Sequence, residues 1–179
     1  MKGTISKLKT KNRRVFICSD PHFGQESFYK PNPTSGSTLR PQFHNAKSCD
    51  ETIVSNHNSI VPVENSIVYF LGDLAYNVFS MENYISQMNG EFKVLVAGNH
   101  DSKFPTFKLL QLFDKVVGAC YLGGRKYILT HIPIHPLELR GRINLHGHTH
   151  QYSIPGDERY ISFCYEVNNF FPVEITGWL

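Results

Sequence analysis

The sequence is poor in closely spaced cysteines, in long apolar runs and in net charge. Its four cysteines, Cys18, Cys49, Cys120 and Cys164, lie far apart and form no CxxC pair. That spacing argues against a thiolate zinc site and against a disulfide framework. Cys18, Cys120 and Cys164 sit in apolar, strand-like runs, where reduced and buried thiols are expected. No apolar stretch approaches the roughly 18 residues of a membrane span. The opening MKGTISKLKTKNRR lacks the hydrophobic segment of a secretory signal. These absences lead us to expect a soluble, cytoplasmic protein with no membrane partner. A net charge of +3 is too small to name a partner, but its distribution is uneven. Lys2, Lys7, Lys9, Lys11, Arg13 and Arg14 crowd the start with no acid among them. Residues 1–13 therefore read as a basic, solvated N-terminal arm, with nucleic-acid contact as the alternative.

What is present is a globular composition. With 179 residues, 41% of them hydrophobic, the chain suits a single domain over 1–179 with one sizeable core. Short apolar runs at 14–19, 66–71 and 92–97 predict strands buried on both faces. Further strands are expected at 116–122, 126–130, 143–146, 160–166 and 171–176, with Gly123-Gly124 as a hairpin turn. Helical spacing marks 45–60, a helix capped by Ser80, and a short helix opened by Pro105 that carries Phe107, Leu110 and Phe113. Alternating strands and helices followed by consecutive strands predict a mixed core of two sheets with helices outside. The Pro-rich stretch 24–45 is a long loop, and such a loop beside a catalytic turn is often part of a substrate pocket.

Five motifs carry chemistry. Asp20-Pro21-His22 follows the first strand, and side chains at i and i+2 are expected to share a direction. Gly72-Asp73 ends the second strand, and a carboxylate with two oxygens can bridge two cations. Gly98-Asn99-His100-Asp101 ends the third, offering an amide oxygen at Asn99 and a histidine at His100 that need not bind metal. His131 stands directly after the 126–130 strand. His146-Gly147-His148-Thr149-His150 places three histidines in five residues, a tract that suggests metal. All five fall at or just past the C-terminal ends of expected strands, the edge on which such sheets build sites. The donors are nitrogen and oxygen only, which suits Mn²⁺, Fe, Zn²⁺, Ni²⁺ or Co²⁺. His57 reads as a packing or solvated residue, and His44 and His135 as weak candidates for the pocket. Arg40 and Lys30 in the loop could meet a phosphate, with surface solubility the commoner role.

The order DPH, GD, GNHD, H, GHTH resembles the calcineurin-like metallophosphoesterases over residues 14–176. It is most similar to the small single-domain members of bacteriophage and bacterial genomes. Those share an opening like Ser19–Gln25, a loop like Arg40-Pro41-Gln42-Phe43 and an ending like Val167–Val173. Gln25 stands where a histidine is frequent, which removes no ligand. The resemblance implies an α/β (α+β) fold, a four-layer αββα sandwich. It implies two divalent cations, Mn²⁺ foremost. Asp20, His22, Asp73 and His150 would hold the first; Asn99, His131 and His148, with Asp73 bridging, would hold the second. His100 would be the catalytic histidine that binds neither cation, oriented by Asp101; Arg40 is the substrate-binding candidate on its place in the loop alone. Two such cations activate water and neutralise phosphoryl charge during in-line attack. The expected activity is a phosphodiesterase on nucleotides or short nucleic acid. A phosphomonoesterase acting on a nucleotide or phosphoprotein is the alternative, and a non-catalytic scaffold is a remote one. The oligomeric state is left open.

Overall fold

The computed structural model describes residues 13–179, so the basic arm expected at 1–13 lies outside the described residues except for Arg13. Strands β1 (Arg14–Cys18), β2 (Ser66–Phe70), β3 (Phe92–Val96) and β4 (Lys115–Val117) run parallel, and β9 (Val173–Glu174) pairs antiparallel with β1. The order in this sheet is β4-β3-β2-β1-β9. A second sheet has the order β5-β6-β7-β8, from β5 (Ala119–Leu122), β6 (Tyr127–Thr130), β7 (Ile143–His146) and β8 (Tyr160–Ser162). Only β5–β6 is antiparallel there, and the turn joining them carries positive φ at Gly123, Gly124 and Arg125. The fold is thus two mixed β-sheets with flanking helices.

Alternation along β1 shows why these strands are apolar at every position. Phe16 and Cys18 face helices α1 (Ala46–Ile60), α2 (Val78–Ile85) and α3 (Thr106–Leu112), meeting Ile53, Met81 and Leu109. Val15 and Ile17 face the second sheet, packing with Leu129, Leu145 and Phe163. Each of these four β1 side chains is fully buried. Helix α4 (Pro136–Leu139) is a single turn in the β6–β7 crossover and buries Leu139.

Several local expectations shift. The run 116–122 is not one strand; at Gly118 the chain leaves the first sheet as β4 and enters the second as β5. The helix α2 is capped by Asn77, whose side-chain oxygen accepts from the Ser80 amide at 2.8 Å, so Ser80 is a recipient of the cap. In α3 the inward residues are Leu109 and, just beyond the helix, Phe113, while Phe107 and Leu110 point to solvent. The strands expected at 160–166 and 171–176 shorten to β8 and β9, with 3-10 turns at Tyr165–Val167 and Thr176–Trp178 taking over their ends. Among the described residues no helix is long and apolar enough to cross a membrane.

Candidate metal centre

The turns after β1, β2, β3, β6 and β7 meet at one edge of the paired sheets. A bridge between Ser19 and Cys164 and a bond from Gly147 N to the His131 carbonyl tie them together. Two ligand groups form there, Asp20–His22–His150 and Asp73–His131–His148. Within each group the potential ligand atoms lie within 4.8 Å of one another. Asp73 belongs to both in effect: its Oδ2 is 3.5 Å from His22 Nε2 and 3.3 Å from His131 Nε2. Asn99 joins the second group, its Oδ1 3.0 Å from His131 Nε2.

The backbone at these positions is unusual. Asp20, His22, Asp73, His148 and His150 all have positive φ, between 49° and 68°. They make up half of the ten left-handed non-glycine residues among those described. Each such conformation costs on the order of 1 kcal/mol or more, and strain of this kind concentrates where function requires it. The i, i+2 pairs do converge, but through left-handed turns past the strand ends and not through strand alternation.

Do these residues suit cations? Asp20 Oδ1 and His22 Nε2 are buried without a hydrogen-bond partner, and at 3.5 Å apart they do not satisfy each other. In the second group His131 donates Nδ1–H to the Leu71 carbonyl at 2.6 Å, so Nε2 of the neutral ring presents a lone pair. That lone pair faces Asp73 Oδ2, Asn99 Oδ1 and His148 Nδ1, the last at 3.2 Å. Such a concentration of lone pairs is stable only around positive charge, and both groups fit a divalent cation. The remaining atoms of the ligands are held. Asp20 Oδ2 accepts from Ser19 Oγ, His148 N and Cys164 Sγ. Asp73 Oδ1 accepts from His100 N. His150 Nδ1 lies 3.1 Å from Glu166 Oε1, which leaves Nε2 for a metal.

Residues 13–157 match the family model for calcineurin-like phosphoesterases. The chain belongs to the calcineurin-like phosphoesterase family. The crystal structure of AQ665, a protein of unknown function from Aquifex aeolicus, shares the fold with a TM-score of 0.69 and 21% identity. That similarity covers 91% of this chain and 96% of the other. No curated protein sequence matches.

Burial disfavours charge on Asp20, but His22, His131 and His150 outweigh it and hold the carboxyl below the usual range. Burial likewise opposes protonation of His131, yet Asp73 and Asp20 outweigh it and raise its pKa. The Cys164 thiol goes the other way. Burial and the Asp20 carboxylate push its pKa up, so it stays a thiol that donates to Asp20.

In this phosphoesterase His100 lies at the mouth, half exposed, with Nε2 3.9 Å from Asp73 Oδ2 and its ring against His22. It is in neither ligand group. Asp101 requires correction: it does not orient the His100 ring. Both its oxygens are used by backbone amides, those of Asp73 and Gly98 on Oδ2 and Leu74 on Oδ1. It clamps the β2 and β3 turns together and is a positioning residue.

Arg40 requires the larger correction. It is fully buried and faces neither solvent nor substrate. Its guanidinium donates to the carbonyls of Asp20 and Pro21 and to Glu166 Oε1, and lies over Phe28. The long loop is therefore anchored beneath the metal-binding turn, and Phe28 from the loop packs on His22 and His150. Glu166 is the residue that sequence reasoning passed over. A carboxylate ending the buried run Phe163–Tyr165 was its signal, the same signal that marked Asp20 and Asp73. Lys30, His44 and His135 are exposed on the surface. His57 is buried in α1 against the Asn89 carbonyl, and His146 is buried on the side of β7 opposite Leu145, bonded to Gly147 O.

Proposed function

We propose that this chain is a dinuclear phosphodiesterase acting on nucleotides or short nucleic acid, with Mn²⁺ the foremost metal. The observation that carries the reading is Asp73 Oδ2, placed between two complete nitrogen and oxygen ligand groups. Asp20, His22, Asp73 and His150 would hold one cation, and Asp73, Asn99, His131 and His148 the other. When bound, such a pair of cations activates water and neutralises phosphoryl charge. The chain's own residues supply the rest. His100, at the mouth, would pass a proton to the leaving oxygen. Asp101 keeps the Asp73 and Gly98 backbones in register, and Arg40 with Glu166 fixes the Asp20–His22 turn and the His150 ring.

The diester reading draws support from space beside the centre and in the adjoining loop. A recess of about 520 Å³ lies among residues 27–39 of the long loop, whose Phe28 packs on His22 and His150. A crevice of about 460 Å³ is lined by Asn99 and His131 of the other group. A phosphodiester has two organic arms to place, and a monoester has one. The test is turnover by Mn²⁺-loaded protein of bis-p-nitrophenyl phosphate, p-nitrophenyl phosphate, 2′,3′-cyclic nucleotides and single-stranded DNA. Diesters should be the better substrates. Turnover of the monoester alone would replace this reading with a phosphatase, and full activity after verified removal of metal would sink both.

A further inference from the structure

The crevice beside Asn99 and His131 forms where the chain passes from one sheet to the other. Gly118 and Ala119, at the β4–β5 junction, contribute to its lining. Ile132 and Ile134, just past β6, contribute the apolar groups, and Ile132 is 49% exposed although it adjoins a metal-ligating histidine. None of the described lining residues is a lysine, an arginine or a carboxylate. A continuing phosphate chain would find no counter-charge there, whereas an uncharged ring would find apolar contact and the Asn99 amide. The size lies within the range of small-molecule sites.

We infer that this crevice is the subsite for an uncharged, ring-bearing substituent of the phosphate ester, such as a nucleoside, and that Gly118 sets its depth. The inference rests on the phosphoesterase reading of the centre, since the phosphoryl group must lie at Asn99 and His131 for its substituent to reach the crevice. Gly118 provides a clean probe. Its backbone is outside the left-handed region, and a Cβ placed on it meets no atom within 4 Å. A side chain there therefore starts into open space.

The experiment is calorimetric titration of Mn²⁺-loaded protein with phenylphosphonate and with methylphosphonate, which share a phosphoryl group and differ in the substituent. The wild type should bind the phenyl compound about tenfold more tightly, the scale of burying a small apolar group. Gly118→Leu should abolish that preference while methylphosphonate affinity and metal content, measured by mass spectrometry, stay as they were. Ile132→Ser, at an exposed position, should reduce it about threefold. Equal binding of the two phosphonates by the wild type, or a phenyl preference that survives Gly118→Leu, would overturn the assignment. Because binding needs no turnover, a protein that hydrolyses only monoesters yet shows the Gly118-dependent preference would lose the diesterase reading and keep this one.

Discussion

The two oxygens of Asp20 divide their work: Oδ2 accepts three hydrogen bonds and Oδ1 is left bare toward His22. That division depends on Gly147, because a Cβ there would collide with Ser19 Oγ and Asp20 Oδ2. We expect Gly147→Ala to weaken metal binding in the Asp20–His22–His150 group at least about tenfold, the effect typical of lost support around a ligand. Calorimetry should show one of two binding events weakened; two unchanged events would disprove the dependence. His100 makes a different prediction, since its side chain belongs to neither ligand group. His100→Asn should keep both metals, lose little on nitrophenyl esters and lose about 10²–10⁴-fold on esters with alkoxide leaving groups. An equal loss on both substrate types would instead make His100 an electrostatic support for the phosphoryl oxygens. At this scale the ligand types were legible because strand-end Asp, Asn and His have few other reasons to gather. The partner of His150 was not, because Glu166 is 16 positions further along the chain and is brought to it only by the folding of the segment between.

Among the titratable groups that helix α1 buries, His57 and Asp50 have opposite linkages. His57 is packed away from water, and burial lowers its pKa from 6.5 to about 4. The unfolded chain therefore takes up the proton first, and this residue's contribution is lost as pH falls through that window. Asp50 accepts from the Gly24 amide at 2.8 Å, yet burial raises its pKa from 3.8 to about 7. Its folded form binds the proton more tightly, so its contribution is present at low pH and is lost as pH rises through that window. Urea denaturation from pH 4 to 8 should show Asp50→Asn more stable than the wild type at the alkaline end, with the difference vanishing toward pH 4. His57→Gln should instead gain on the wild type toward pH 4. Each difference is of the order of 2–4 kcal/mol at most. A flat difference for either variant would contradict its assignment. The loop at 24–45 gives the second prediction at this scale. Arg40→Met leaves the buried Glu166 with only His150 as a partner, which should cost roughly 3–5 kcal/mol in the same denaturation assay. A loss below about 1 kcal/mol would return Arg40 to the surface role that its sequence context suggested. The element pattern was legible where burial is two-sided, as in β1, and less so where it is not. The run 116–122 reads as continuous, but its two halves belong to different sheets.

Across the whole molecule, the ligand groups draw on turns after five strands spread over both sheets, so binding of the cations links the sheets at one edge. Mn²⁺ at about 100 times its dissociation constant should add about 2.7 kcal/mol of stability if it binds only the folded chain. That should raise the melting temperature of chelated protein by about 5–10 °C, read by calorimetry or circular dichroism. No shift would mean that the two groups do not bind Mn²⁺ in the folded state. The sequence by itself determined the donor set, the two-sided burial of the central strands and the family, because these are properties of residue type and of short-range periodicity. Only the tertiary structure decided that Arg40 is an internal tie and not a phosphate contact, that Asp101 clamps backbone, and that Glu166 supports His150. It also decided that a neutral crevice opens beside Asn99. A side chain's burial and its partner are set by which distant segments pack against it, and no local pattern encodes that packing.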